Sequence, residues 1–110
     1  TKSTRRIKML NIVLVCNWGA STGMLAKKIA KAAEEKGIES NVSAYSYDDL
    51  AEVINTASII LLGPQLAYKL QEFEEKFGSA GVPFMVINTV DYGRMNGENV
   101  LNAVLEKIKE

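Results

Sequence analysis

Val13-Leu14-Val15-Cys16-Asn17-Trp18-Gly19-Ala20-Ser21-Thr22-Gly23-Met24-Leu25 runs an apolar segment into the chain's one cysteine, continues through small and hydroxylated residues, and opens a helix. A strand that ends in a thiol and is followed at once by a helix start is a particular kind of place. The first N–H groups of a helix have no intrahelical partner, and the macrodipole adds partial positive charge there, so anions collect at such an end. The same surroundings make a thiol a better nucleophile. The stretch reads as a phosphate cradle, Cys16 to Gly23, with a nucleophile inside it.

Outward from this stretch the chain alternates. Ile12-Val13-Leu14-Val15 is a near-continuous apolar run suited to a buried central parallel strand, within a segment Ile7 to Val15. Leu25, Ile29, Ala32 and Ala33, with Met24 beside them, make the core stripe of a first helix. Lys27, Lys28, Lys31, Glu34, Glu35 and Lys36 form its wet side, and Gly37 is its stop. Ile38 to Tyr45 alternates apolar and polar residues, as a half-exposed edge strand does. Ser46-Tyr47-Asp48-Asp49 approximates a capping box and opens a short helix with Leu50, Val53 and Ile54 inward. Ser58 to Leu62 reads as a second fully buried strand, ended by Gly63-Pro64, with Pro64 suited to the first position of a helix carrying Leu66, Leu70, Phe73 and Phe77. Phe84 to Ile87 is the fourth strand. A polar connection from Asn88 to Gly97 leads to a last helix with Val100, Leu101, Val104, Leu105 and Ile108 on its apolar stripe.

Four strands alternating with four helices predict an α/β fold: a single open four-stranded parallel sheet with helices on both faces. The most apolar strands belong in the middle and the half-polar second strand at an edge, which gives the order 2-1-3-4. In that order the chain reverses between strands 1 and 3, and ligands in such sheets bind outside the carboxyl ends of the strands at the reversal. Cys16 follows strand 1 and Gly63-Pro64-Gln65 follows strand 3, so the topology and the cysteine stretch select the same place.

The composition narrows the chemistry. A chain of 110 residues fits one small domain with its own core. Thirteen basic and thirteen acidic residues cancel, so nothing global points to nucleic acid, and no apolar run is long enough to span a bilayer. Residues 1–8 read as a disordered or expression-derived basic tail, and 9–110 as the domain. With one cysteine there is no internal disulfide and no CxxC chemistry; with no histidine there is no imidazole base and no His-ligated metal. No metal and no cofactor is expected, and a working lone thiol suits the cytoplasm.

Cys16 to Thr22 has the outline of a cysteine-phosphatase loop, a cysteine followed by five residues and then an arginine, but Thr22 stands in the arginine's place. A phosphatase needs that guanidinium to clamp the equatorial oxygens of the transition state, and a general acid besides. Without it the loop still holds a phosphoryl group of charge about −1.5 to −2 through N–H groups and the Ser21 and Thr22 hydroxyls. It gives little help to hydrolysis, and a phosphoryl group that forms and persists marks a carrier. Two other readings stand beside this one: an enzyme of the low-molecular-weight phosphatase or arsenate reductase kind, and a flavodoxin-like module binding FMN through Ser21-Thr22-Gly23.

On three segments the chain resembles the IIB components of the bacterial phosphoenolpyruvate-dependent sugar phosphotransferase system, lactose/cellobiose/chitobiose class. They are Val15-Cys16-Asn17-Trp18-Gly19-Ala20-Ser21-Thr22, then Leu61-Leu62-Gly63-Pro64-Gln65-Leu66-Ala67-Tyr68 and, more weakly, Asp91-Tyr92-Gly93. The likeness runs from Ile7 to Glu110. It implies that Cys16 is the phosphocysteine nucleophile, with Asn17, Trp18, Gly19, Ala20, Ser21, Thr22 and Gly23 as the phosphate-binding loop. Gln65, Asp91 and Tyr92 are then supporting or partner-contact residues. The implied donor is a phosphohistidine on the IIA component, and the acceptor is a sugar bound by the membrane permease IIC. Trp18, where small or flexible residues are common in the family, is read either as packing on the neighbouring helix or as an aromatic anchor for a partner. A monomer, without membrane insertion of its own, is expected.

Overall fold

Four consecutive aliphatic residues, Ile12 to Val15, have no polar side chain to leave in water, and strand β1 (Leu10–Cys16) buries all four. The computed structural model describes residues 9–16 and 19–108, the side chains of 19–21 excepted. The segment 1–8 read as a tail, and Asn17 and Trp18 of the cysteine stretch, lie outside the described residues. β1 pairs in parallel with β2 (Ser40–Ser46) on one side and with β3 (Ile59–Leu62) on the other, and β3 pairs with β4 (Phe84–Val86). The sheet is four-stranded and parallel with the order expected from strand polarity, β2-β1-β3-β4.

Alternation along the central strands feeds two cores. Ile12, Leu14, Ile59 and Leu61 face α1 (Gly19–Glu35) and α5 (Gly97–Ile108) through Leu25, Ile29, Ala33, Leu101 and Val104. Val13, Val15, Ile60 and Leu62 join Leu50 of α2 (Leu50–Val53), Phe73 of α3 (Leu70–Phe77) and Phe84 on the other face. Met24 departs from the core stripe assigned to it: it is 58% exposed, because it sits a helical step of about 100° away from Leu25, off the arc that meets the sheet.

The helix ends follow their local chemistry. Gly37 takes φ 73°, the Gly37 N–H bonds to Glu34 O (3.1 Å) and the Ile38 N–H to Ala33 O (2.9 Å), the paired bonds of a Schellman stop. Because Ile38 is spent in that stop, β2 begins at Ser40 rather than at Ile38. Ser46 accepts a hydrogen bond from the Asp48 N–H (3.2 Å), but the turn it opens, Tyr47–Asp49, is 3-10 rather than α. Pro64 likewise starts a 3-10 segment, Pro64–Lys69, before α3. The connection from Asn88 to Gly97 holds an extra helix, α4 (Thr89–Gly93), capped by Asn88 Oδ1 accepting from the N–H groups of Val90 (2.8 Å) and Asp91 (3.2 Å). Gly97 then lets α5 start hard against α1: a Cβ there would lie 2.7 Å from the Ile29 backbone nitrogen.

Candidate functional site

The parallel register brings all four strand ends to one level. Cys16 is opposite Ser46 of β2, Val15 opposite Leu62 of β3, and Leu62 opposite Val86 of β4. Whatever follows each strand therefore gathers along one edge of the sheet, on either side of the reversal between β1 and β3.

Cys16 is the last residue of β1. Its side chain packs with the cluster on the α2 and α3 side, yet its Sγ reaches the helix on the opposite face, 2.6 Å from Thr22 Oγ1. It therefore sits at the seam between the two cores. It lies deeper than the sequence suggests, at 1% exposure, because β1 continues through Cys16 in full register with β2. The loop is also shorter than the sequence reading made it. α1 already begins at Gly19, so Ser21 and Thr22 are inside its first turn and neither is an N-cap. The first N–H groups of α1, from Gly19 to Ser21, precede the first possible i→i−4 bond of the helix and are the donors that a helix start offers.

Thr22 is the buried polar side chain of the described residues, at 0% exposure, and a buried hydroxyl demands hydrogen-bond partners. It has Cys16 Sγ on one side and the Tyr92 hydroxyl, 3.4 Å away, on the other. Tyr92 stands on α4 after β4, so the line Cys16–Thr22–Tyr92 ties the end of β1 to the far edge of the sheet. Asp91, its neighbour in sequence, is not drawn to the thiol. Its Oδ1 accepts from the Asn99 side-chain amide (3.2 Å) and ties α4 to α5. Gly23 lies within α1, and a Cβ on it would meet nothing within 4 Å.

From the other side comes the turn after β3. The Gly63 N–H bonds to Val15 O (3.1 Å), which sets Gly63 beside Cys16. A Cβ on Gly63 would fall 3.3 Å from Cys16 Cβ and 2.6 Å from Gln65 Oε1, so a side chain at this position would displace the Gln65 carboxamide. Gln65 is exposed, but its carboxamide is folded back over Gly63.

Around this centre lie exposed apolar side chains that sequence periodicity did not single out as surface: Met24 after β1, Tyr47 after β2, Tyr68 after β3 and Val90 after β4. The Lys69 ammonium lies 5.4 Å from the Tyr47 ring centre and 5.7 Å from that of Tyr68, close enough for cation–π attraction to both. Among the described residues no group of His, Cys, Asp and Glu side chains is arranged to hold a metal ion, and no helix is long and apolar enough to cross a membrane.

Residues 11–103 match the family model described as PTS system, Lactose/Cellobiose specific IIB subunit. The chain is 41% identical over 97 residues to the PTS system galactose-specific EIIB component of Lactococcus lactis subsp. cremoris, covering 84% of this chain and 90% of that protein. It is similar to the solution structure of the cellobiose-specific phosphotransferase IIB component of Borrelia burgdorferi, at 38% identity and TM-score 0.76, with 93% of this chain and 94% of that one covered. It also matches the PTS system lactose-specific EIICB component of Streptococcus mutans, at 26% identity over 91% of this chain but 18% of that longer protein.

Proposed function

The chain belongs to the lactose/cellobiose-specific IIB family of the sugar phosphotransferase system, and on that footing we propose that Cys16 is the residue that carries the phosphoryl group. A IIB component is a phosphotransferase that works with a IIC permease, and this membership sets aside the phosphatase, arsenate reductase and FMN readings. The observation that supports Cys16 is its place: a thiol at the carboxyl end of a central strand, 2.6 Å from a hydroxyl in the first turn of α1, with no guanidinium at the position where hydrolysing loops have one.

The chemistry follows from that placement. Cys16 Sγ, as thiolate, attacks the phosphorus of a phosphohistidine on IIA; the P–N bond breaks and its electron pair leaves with the imidazole. The phosphoryl oxygens meet the N–H groups from Gly19 to Ser21 and the Thr22 hydroxyl, which turns away from sulfur toward them. A hydroxyl of a sugar held by IIC then attacks phosphorus, the S–P bond breaks, and the pair returns to sulfur. The relatives' names span galactose, cellobiose and lactose, and the acceptor class proposed here is a β-linked disaccharide or related sugar. The exposed Met24, Tyr47, Tyr68 and Val90 form the docking face for both partners, since all four surround the strand ends. The compartment proposed with this reading is the cytoplasm, where the protein meets IIC at the inner face of the membrane.

Incubating the protein with phosphorylated IIA and following its intact mass tests the reading. The expected result is a gain of one phosphoryl group that disappears in Cys16→Ser. No gain, or a gain that survives Cys16→Ser, overturns it.

A further inference from the structure

An exposed glutamine ordinarily extends its amide into water, where every donor and acceptor is satisfied. Gln65 does not. Pro64 and the 3-10 turn set its backbone, and its carboxamide folds onto Gly63, with Oε1 2.6 Å from the point a Gly63 Cβ would occupy. Cys16 Cβ lies 3.3 Å from that same point, so the carboxamide and the thiol's own side chain flank one glycine. Oε1 is turned inward against the glycine. Among the described residues the Gln65 Nε2 donors make no hydrogen bond, so a carboxamide held beside Gly63 keeps them for an incoming group. Thr22 of α1 meets the sulfur from one side, with the Tyr92 hydroxyl of α4 behind it, and Gln65 approaches from the turn after β3.

Resting on the reading of Cys16 as phosphoryl acceptor, we propose that Gln65 is a further phosphate-binding residue: its Nε2–H donates a hydrogen bond to an oxygen of the group carried on Cys16, and Gly63 is glycine so that the carboxamide can reach it. A neutral amide is well matched to a carrier. It donates to a dianion without the full positive charge of a guanidinium, so it holds the phosphoryl group while adding less to the stabilisation of the hydrolytic transition state. In that unwanted reaction a water oxygen bonds to phosphorus, the S–P pair returns to sulfur, and the water's proton passes to solvent; nothing in Gln65 serves as the base for it.

The test uses the whole chain, equilibrated with a phosphohistidine-bearing IIA donor, and reads the phosphorylated fraction by intact mass. The phosphorus NMR signal of the phosphocysteine is followed through a pH titration alongside it. Gln65→Ala is expected to shift the transfer equilibrium back toward the donor by about tenfold, the scale of one hydrogen bond to a charged group. The titration midpoint of the phosphoryl group should rise, because a donor that favoured the dianion has gone. Gln65→Glu keeps the shape but replaces the donor with negative charge, and is expected to lose more than Gln65→Ala. Wild-type behaviour in both variants overturns the proposal while leaving Cys16 in place. Equal losses in the two variants with an unmoved titration midpoint also overturn it, since that is what a structural prop would give. A wild-type chain that takes up no phosphoryl group overturns the reading of Cys16, and this inference with it.

Discussion

The middle of the sheet and its carboxyl edge are a few ångströms apart along the same strands, yet they are built from different chemistry. In the middle, Ile12, Leu14, Ile59, Ile60 and Leu61 are sealed among apolar side chains and the paired backbone. At the edge, the last side chain of β1 is a thiol, the buried side chain facing it is a hydroxyl, and apolar residues such as Tyr68, 76% exposed, point outward instead of in. The middle holds its energy in burial, of which about 25 cal/mol per Å² of apolar surface is the usual measure. The edge gives up part of that burial to keep polar atoms and docking surface where the strands stop. A fold that is stable through its centre can leave its strand ends for chemistry.

Single substitutions in the two regions should have opposite effects on transfer and on stability. Cys16→Ser should abolish phosphoryl uptake completely while shifting the melting temperature only slightly, because a hydroxyl fits the same space beside Thr22. A variant that unfolds would show that the thiol is core first and site second. Leu61→Ala should do the reverse. It empties a fully buried position in β3 and is expected to destabilise the chain by about 2–5 kcal/mol in denaturant unfolding, with the transfer rate unchanged at temperatures where the variant is folded. A large loss of transfer in folded Leu61→Ala would mean that the two regions are coupled.

Thr22→Val probes the boundary between the regions. It removes one hydroxyl from a buried site and keeps the branched shape, so stability should change by no more than about 1–2 kcal/mol. Phosphoryl acceptance should slow by about tenfold, because the hydroxyl beside Sγ is one of the groups that meets the incoming oxygens. An unchanged rate measured by rapid-quench mass analysis would assign Thr22 to packing alone.

Most of the middle was legible in the sequence and much of the edge was not, for a physical reason. The strand order rests on apolar runs, Ile12 to Val15 and Ile59 to Leu62, whose hydrophobicity is a local property of the chain, and the Gly37 stop is equally local. The edge is made by residues far apart. Thr22 and Tyr92 are 70 positions apart, and no periodicity brings them together. The depth of Cys16 depends on register with β2, and the fold of Gln65 over Gly63 depends on a 3-10 turn that helical spacing alone renders as ordinary helix. Helix α4 does carry a local signal: Asn88 with Asp91 three residues on is a helix-start pattern, masked by its position inside a polar, glycine-containing stretch.

Tyr92→Phe carries the smallest expected effect. Its hydroxyl stands 3.4 Å from Thr22 Oγ1, at the outer limit of a useful hydrogen bond, and the ring is only half-buried, so water can replace the lost contact. Stability should move by less than about 0.5 kcal/mol. Phosphoryl acceptance should fall by only about two- to threefold if the hydroxyl merely orients Thr22, since a weak neutral hydrogen bond is worth well under the 1.4 kcal/mol that separates tenfold steps. The double variant Thr22→Val with Tyr92→Phe decides how the hydroxyl acts. If Tyr92 works through Thr22, the second change adds nothing to the first, and the two effects fall short of multiplying. If they multiply, the tyrosine hydroxyl reaches the phosphoryl oxygens by itself, and the polar edge extends across β3 to the far side of the sheet rather than ending at α1.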